Sequence, residues 1–538
     1  MSDYARNQRP TLAAIITAAR AGSLAHATAL FKAGGYDRET SNSAALAVKG
    51  RLLKDQALRA PSVNRPALYE AAAQAYGEAN RLNPQPYTRI NEASLLLLAG
   101  KRDVAIDLAL ALQTELNGSQ PIAETPYYIA ATRAEAQLIC GAIDDAKRSL
   151  AEAFEQDPDG WADHASTLRQ FDLLLTARGA DKQWLDAFRP PLSLNFAGHM
   201  AISIGQSRGL RAQVDDYLDR SPIGFGYGAL AAGADIVIAE ALLARNASLH
   251  IVLPTSIETF IAQSVTPYEP EWRARFDACS AGATSIRCIT SISGAYEPLA
   301  TKLAADVAMG AAFLNAYQLE SRAAQLLVVD DGDGAFGSGL ATRYFGERWM
   351  NGAPQHLIAM PRGAPVLASG LRTEREGRPD RRLVALIMIR FAGIENEDDG
   401  GFAEAVDTLI RPFEDQMQTL AAEPTAILPH GNNKILAFDS PEAAWRYAVA
   451  AQERAPEALS LRIAAHYAVV HQFDHPLALV GCGISELERI VAAAIPGVTV
   501  TSETFATALS INCGESVWAE HIGEIDTLKL FALSPRVA

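Results

Sequence analysis

The 538 residues predict a multidomain protein of mixed α and α/β class, with a helical first third followed by two α/β parts. Three observations carry this expectation. Helix-length segments ending in Gly or Pro follow one another from Thr11 to about Arg189. From Leu192 onward, apolar runs of strand length alternate with helix-length segments, with glycines at the junctions. A run without periodicity, PRGAPVLASGLRTEREGRPDRR from Pro361 to Arg382, then reads as a linker. The expected parts are 1–190, 191–360, the linker 361–382, and 383–538.

Composition narrows the function classes. A formal net charge of −15 argues against a general nucleic-acid binder, because phosphate binding needs clustered Lys and Arg. The opening MSDYARNQRPTLAA lacks a signal-peptide pattern, and no apolar run reaches the roughly 20 residues that span a bilayer. Cys140, Cys279, Cys288, Cys482 and Cys513 form no CxxC pair. The expectation is a cytoplasmic protein with reduced thiols, bound to neither membrane nor nucleic acid.

In the helical third, Gly22 and Ala27, Gly100 and Ala105, and Gly141 and Ala146 repeat one spacing. Small residues at those positions let two antiparallel helices approach at a hairpin. With AEAQLICGAIDDAKRSLAEAFEQDP and YEAAAQAYGEANRLNP, these residues resemble tetratricopeptide repeats, which stack into a curved solenoid. A plain helical bundle is the alternative. The resemblance implies a surface for a protein partner, and no chemistry.

The second part begins with the strand Leu192–Ala197, which ends at Gly198 and His199. A helix near Ser207–Arg220, a strand Gly224–Leu230, and the helix Ile236–Arg245 follow. The strand Ser248–Leu253 runs into Pro254 and a helix carrying Glu258, and further on come a strand near Thr284–Ile292 and a helix Pro298–Ala316. AQLLVVDDGDGAFGSGLATRYFGERW then takes a strand into Asp330 and Asp331, through a glycine-rich loop, to a helix at about Leu340. In such sheets ligands sit beyond the carboxyl ends of the strands, where helix N-termini favour phosphate. GSGLAT has no Lys after its glycines, so it is not a Walker loop.

FAGHM, GALAAGADIVIAEALL, LHIVLPTSIETFIAQSV and EWRARF together resemble the SLOG superfamily, whose fold is Rossmann-like. Its members include N-glycosidic phosphoribohydrolases and sensors of nucleotide-derived signals. The resemblance implies a ligand of NAD, ADP-ribose or cyclic-nucleotide type. The ligand-facing candidates are Gly198, His199, Gly228, Gly233, Asp235, Glu240, Pro254, Glu258, Asp330, Asp331, Gly332, Gly337, Gly339 and Thr342. For Asp235, in a first helical turn where an acidic residue favours the dipole, capping is the preferred reading over ligand contact. The hydrolases carry PGGxGTxxE; GAFGSGLATRY here lacks both the PGG and the glutamate. A binding domain is therefore expected, with hydrolysis through Glu240 or Asp331 as the alternative.

In the third part, HGNNKILAFDSPEAA and the order of its strands and helices resemble class III nucleotidyl cyclases, a ferredoxin-like α/β fold that dimerises. That chemistry needs two aspartates holding two metal ions. At the matching positions stand Arg390 and Asn432, Leu428 replaces the purine-reading lysine, and Ser485 replaces an asparagine; Arg489 remains. A cation where a metal ligand belongs repels Mg²⁺. The reading is a degenerate cyclase that dimerises, with no metal site; residual cyclase activity is the alternative.

Overall fold

The computed structural model describes residues 9–118, 124–289, 298–330, 340–349, 353–363, 380–392, 398–420, 423–430, 433–456, 458–475 and 477–536. The chain divides into two compact units, residues 1–190 with 535–538, and residues 191–534.

The first unit is helical. Among the described residues its helices are α1 (Leu12–Arg20), α2 (Leu24–Ala33), α3 (Ser43–Arg59), α4 (Arg65–Leu82), α5 (Pro86–Leu98), α6 (Arg102–Leu116), α7 (Pro126–Cys140), α8 (Ile143–Gln156) and α9 (Trp161–Arg178). The repeated Gly–Ala spacing has a geometric cause. Gly22, Gly100 and Gly141 hold φ of 88°, 82° and 85°, a left-handed conformation that ends one helix without strain. Ala27, Ala105 and Ala146 are fully buried at the start of the next helix. Across the unit, Lys54 on α3 donates to Gln170 on α9 at 2.9 Å, and Gln170 donates to Glu135 on α7 at 2.8 Å.

The second unit contains two sheets. The first runs β1 (Leu192–Gly198), α10 (Ile204–Asp219), β2 (Ile223–Gly228), α11 (Ala234–Leu243), β3 (Ser248–Leu253), α12 (Ile257–Ser264), α13 (Glu271–Gly282), β4 (Ser285–Cys288), α14 (Pro298–Gln318), β5 (Ala323–Val329), α15 (Leu340–Arg348) and β6 (Gln355–Ala359). Its strand order is β4-β3-β2-β1-β5-β6, with every described pairing parallel. The order reverses between β1 and β5, so their carboxyl ends flank the switch point.

The second sheet contains β7 (Arg381–Ala392), α16 (Asp399–Ala405), α17 (Arg411–Met417), β8 (Ala426–His430), β9 (Asn433–Phe438), α18 (Pro441–Arg454) and β10 (Ser460–Asp474). It continues through β11 (Leu477–Val480), α19 (Cys482–Ala493), β12 (Thr499–Ser502), α20 (Glu503–Cys513), β13 (Val517–Ile525) and β14 (Leu528–Pro535). Between β7 and β8, α16 and α17 are separated by a π-helical turn, Val406–Ile410. Neither α13 nor β6 was expected from the sequence as a separate element.

The helix α14 lies between the sheets. Met309, Phe313 and Ala316 pack with Leu327 and Val329 of β5. Leu303, Val307, Ala308 and Leu314 pack with Ile387, Leu436, Ile463 and Phe505 of the second sheet and its helices. A helix buried on two sides has to be apolar all round, as PLATKLAADVAMGAAFLNAYQ is. At Gly310, a Cβ would lie 1.9 Å from the backbone oxygen of Thr507, so α14 and α20 touch through backbone at that point.

Candidate functional site

Parallel pairing places the ends of β1, β2, β3 and β5 along one rim, together with Gly198, His199, Gly228, Gly233, Asp235, Pro254, Glu258 and Asp330. Much of the rim is satisfied by the protein itself. The Asp235 carboxylate, 5% exposed, accepts the Gly198 N–H at 2.9 Å and the Ala231 N–H at 3.1 Å. It thus binds the loop after β1 to the loop after β2. Burial pushes its pKa up to about 7 against the pull of those two donors.

The glycines allow close backbone approach, and the nearby atoms are those of the protein. Gly233 has φ of 88°, and a Cβ there would meet the Met200 oxygen at 2.8 Å. A Cβ on Gly198 would meet Ala234 Cβ at 2.3 Å, and one on Gly228 would meet the Phe196 oxygen at 2.6 Å.

Two of the helix N-termini along the rim, those of α10 and α12, are also capped, whereas α11 has Gly233 at its N-cap and no side-chain cap. Ser203 and Gln206 form a capping box on α10, and the Ile204 N–H donates to Glu269 at 2.6 Å. On α12, Ser256 accepts the Thr259 N–H at 3.3 Å. The expected Asp331, Gly332, Gly337 and Gly339 lie outside the described residues. Thr342 is in α15, but its side chain is outside them as well.

His199 stands apart from these satisfied groups. It is 6% exposed, its Nε2 lies 2.8 Å from the Met360 carbonyl oxygen, and its Nδ1 has no hydrogen-bond partner among the described residues. Burial, the largest cause, lowers its pKa, with Arg362 acting in the same direction. Beside it, Arg362 Nε donates to Asp330 at 2.9 Å. The segment 360–363 fastens along this rim, since Gly363 N donates to the Ala201 oxygen at 2.9 Å and Gln206 Nε2 to the Pro361 oxygen at 2.9 Å. Arg362 falls in the stretch 361–382 that reads as a linker, and nothing in the sequence marks it as part of the rim.

Glu240 is held elsewhere. Arg275 on α13 grips it with two bonds, of 2.7 and 2.6 Å, and stacks over Trp272 at 4.3 Å. Glu258 is exposed in the first turn of α12.

In the second sheet Arg390 lies on β7, with Nε donating to Asn433 at 3.1 Å, and Leu428 lies on β8 opposite Ile435. Asn432 lies outside the described residues. Ser485 and Arg489 are exposed on α19, with Arg489 donating to Asp526 at 2.7 Å. A Ser502–His466–Glu486 chain, with contacts of 2.7 and 2.9 Å, is shaped like a hydrolytic triad. Ser502 is fully buried and caps α20 through the Phe505 N–H, which makes the chain a packing feature. Among the described residues no group of three His, Cys, Asp or Glu could hold a metal, and no helix is long and apolar enough to cross a membrane.

No protein-family model matches the chain, and no curated protein does. Solved structures match one region. The adenylate/guanylate cyclase/hydrolase from Silicibacter pomeroyi is 19% identical, over 29% of this chain and 98% of that one, with a TM-score of 0.23. The adenylyl cyclase CyaB from P. aeruginosa is 14% identical over 29% and 94%, with a TM-score of 0.24. The guanylyl cyclase domain of the RhoGC fusion protein from the fungus Blastocladiella emersonii is 12% identical over 29% and 95%, with a TM-score of 0.25. At that overlap the likeness bears on neither activity nor site.

Proposed function

We propose that this is a cytoplasmic signalling protein whose first sheet, with the SLOG-like residues 191–360, binds a nucleotide-derived ligand of NAD, ADP-ribose or cyclic-nucleotide type. The observation that carries this reading is the unpartnered His199 Nδ1 at the switch point between β1 and β5, beside the Arg362–Asp330 pair. Because α10 and α12 already have their caps, a phosphate belongs at the N-terminus of α11 or of α15.

In this reading residues 383–538 form a degenerate cyclase that dimerises and carries out no chemistry. Arg390 supports the loss of metal binding, since a guanidinium bonded to Asn433 offers no ligand to Mg²⁺. Ile427, Phe473, Leu477 and Val480, exposed along β8, the end of β10, and β11, give the pairing an apolar surface. The helical repeats of 1–190 supply the surface for a protein partner.

The test is a thermal-shift panel on the full chain with NAD, ADP-ribose, cyclic dinucleotides and nucleoside monophosphates. A ligand at 100 times its Kd adds about 2.7 kcal/mol of stability. No shift with any member of the panel would sink the proposal. Cyclic nucleotide made from ATP or GTP with Mn²⁺ would overturn the degenerate-cyclase part alone.

A further inference from the structure

The strand register of the second sheet builds a basic row at one end of it. His430 stands opposite Asn433, Asn433 opposite Arg390, and Arg390 opposite Arg462, across β8, β9, β7 and β10. Directly paired residues share a face, so the four side chains leave the sheet on the same side. That side carries α19. Glu488 of α19 bonds His430 at 2.5 Å, and a Cβ on Gly483 would stand 3.4 Å from His466, four residues along β10 from Arg462. Each member of the row lies within two residues of a strand end and is only half-buried, so solvent reaches the row as it stands.

Two arginines directly opposite one another, with Cα atoms about 5 Å apart, repel. Elsewhere a guanidinium in this chain has its carboxylates, as Arg245 has Asp215 and Asp219. Here Arg390 is bonded through Nε to the neutral Asn433, Arg462 Nε has no hydrogen-bond partner, and neither arginine forms an ion pair among the described residues. The carboxylate that reaches the row, Glu488, is bonded at its His430 end. Two uncompensated cations thus stand side by side in a chain of net charge −15. The group that suits them is an oxyanion. A phosphate has oxygens enough to meet both planar forks of N–H donors at once.

Independently of the ligand reading for the first sheet, we propose that Arg390 and Arg462 form a binding site for a phosphate group, either the free ion or an ester on a small molecule. The two guanidinium groups supply the positive charge themselves, so the site works without a metal ion.

The experiment is calorimetric titration of the full chain, in EDTA, with inorganic phosphate, pyrophosphate and phenyl phosphate. At least one of them should bind, and its affinity should fall about tenfold or more in Arg390→Gln and in Arg462→Gln, each of which removes charge-assisted bonds. Tighter binding of phosphate or pyrophosphate than of phenyl phosphate marks the free ion as the ligand, and the reverse marks an ester. Binding of none of the three, or binding that requires added Mg²⁺, overturns the proposal. So does an affinity that neither substitution changes, which would leave the first-sheet reading standing. Should either glutamine variant fail to fold, Arg462→Lys decides: it keeps the charge and loses the fork, and should still bind more weakly than the wild type.

Discussion

Asp235 shows how one carboxylate can organise a rim. It takes N–H groups from two loops, one on each oxygen. Asp235→Asn keeps one acceptor and turns a donor toward the other N–H. The expected loss is about 1–3 kcal/mol, read by urea unfolding at neutral pH. The pH trend follows from its raised pKa. Its folded pKa of about 7 lies above the unfolded value, so its contribution is full below roughly pH 4 and declines as pH rises toward 7. The sequence offered helix capping for Asp235; the carboxylate instead bonds Gly198 and Ala231, while Gly233 stands at the N-cap of α11. The match between its two oxygens and two particular loops was not legible, because it depends on how β1 and β2 pair.

His250 on β3 carries the opposite sign. Burial lowers its pKa to about 4 while its ring stacks on Tyr227, with centroids 4.8 Å apart. Its unfolded pKa is higher, so the native state loses stability as pH falls from about 6.5 toward 4. His250→Phe retains the stack and should flatten that limb relative to wild type in urea midpoints measured across the range. A limb of unchanged slope would show that His250 does not contribute to it.

At the scale of elements, the first sheet carries a polar row through its middle. Ser285, His250, Tyr227, Asn195, Gln325 and Gln355 stand opposite one another on successive strands. Gln325 donates to Asn195 at 2.9 Å and accepts from Gln355 at 2.6 Å. Gln325→Leu leaves the buried Asn195 oxygen without its donor, at an expected cost of about 1–3 kcal/mol measured by denaturant unfolding, while the exposed Gln355 turns to water. The polar residue inside AAQLLVV was visible in the sequence. Its purpose depends on the register across β1, β5 and β6, and β6 is too short and too plain to be read unaided.

The joint between α14 and α20 is a second element-scale feature. Gly310→Ala sets a methyl against the Thr507 backbone, which cannot rotate away as a side chain would. Overpacking of this kind costs about 1–3 kcal/mol, and calorimetry should show a lower Tm for the unit that holds both sheets. The all-round apolar character of α14 was plain in the sequence, but its second neighbour, about 200 residues downstream, was not, because hydrophobicity says only that something covers a face.

For the whole molecule, the two sheets share a core through α14, and buried polar groups reinforce the joint. Asp306, 1% exposed, accepts from Tyr344 of α15 at 2.8 Å and from Tyr467 of β10 at 3.1 Å. Arg348 of α15 reaches Glu442 of α18 at 3.3 Å. A chain cut after residue 363 would expose Leu303, Val307, Ala308 and Leu314, and would bury Asp306 with fewer partners. Such a fragment is expected to aggregate or unfold, as size-exclusion chromatography and circular dichroism would show; a folded monomeric fragment would contradict the account.

The ligand reading itself is tested most directly by hydrogen exchange on the full chain, with and without the nucleotide that gives the largest thermal shift. The account predicts added protection at the end of β1 through 204, at the end of β5, and across 358–363. Protection confined to the β8–β9 hairpin and α19 would place the nucleotide on the cyclase-like sheet and contradict it.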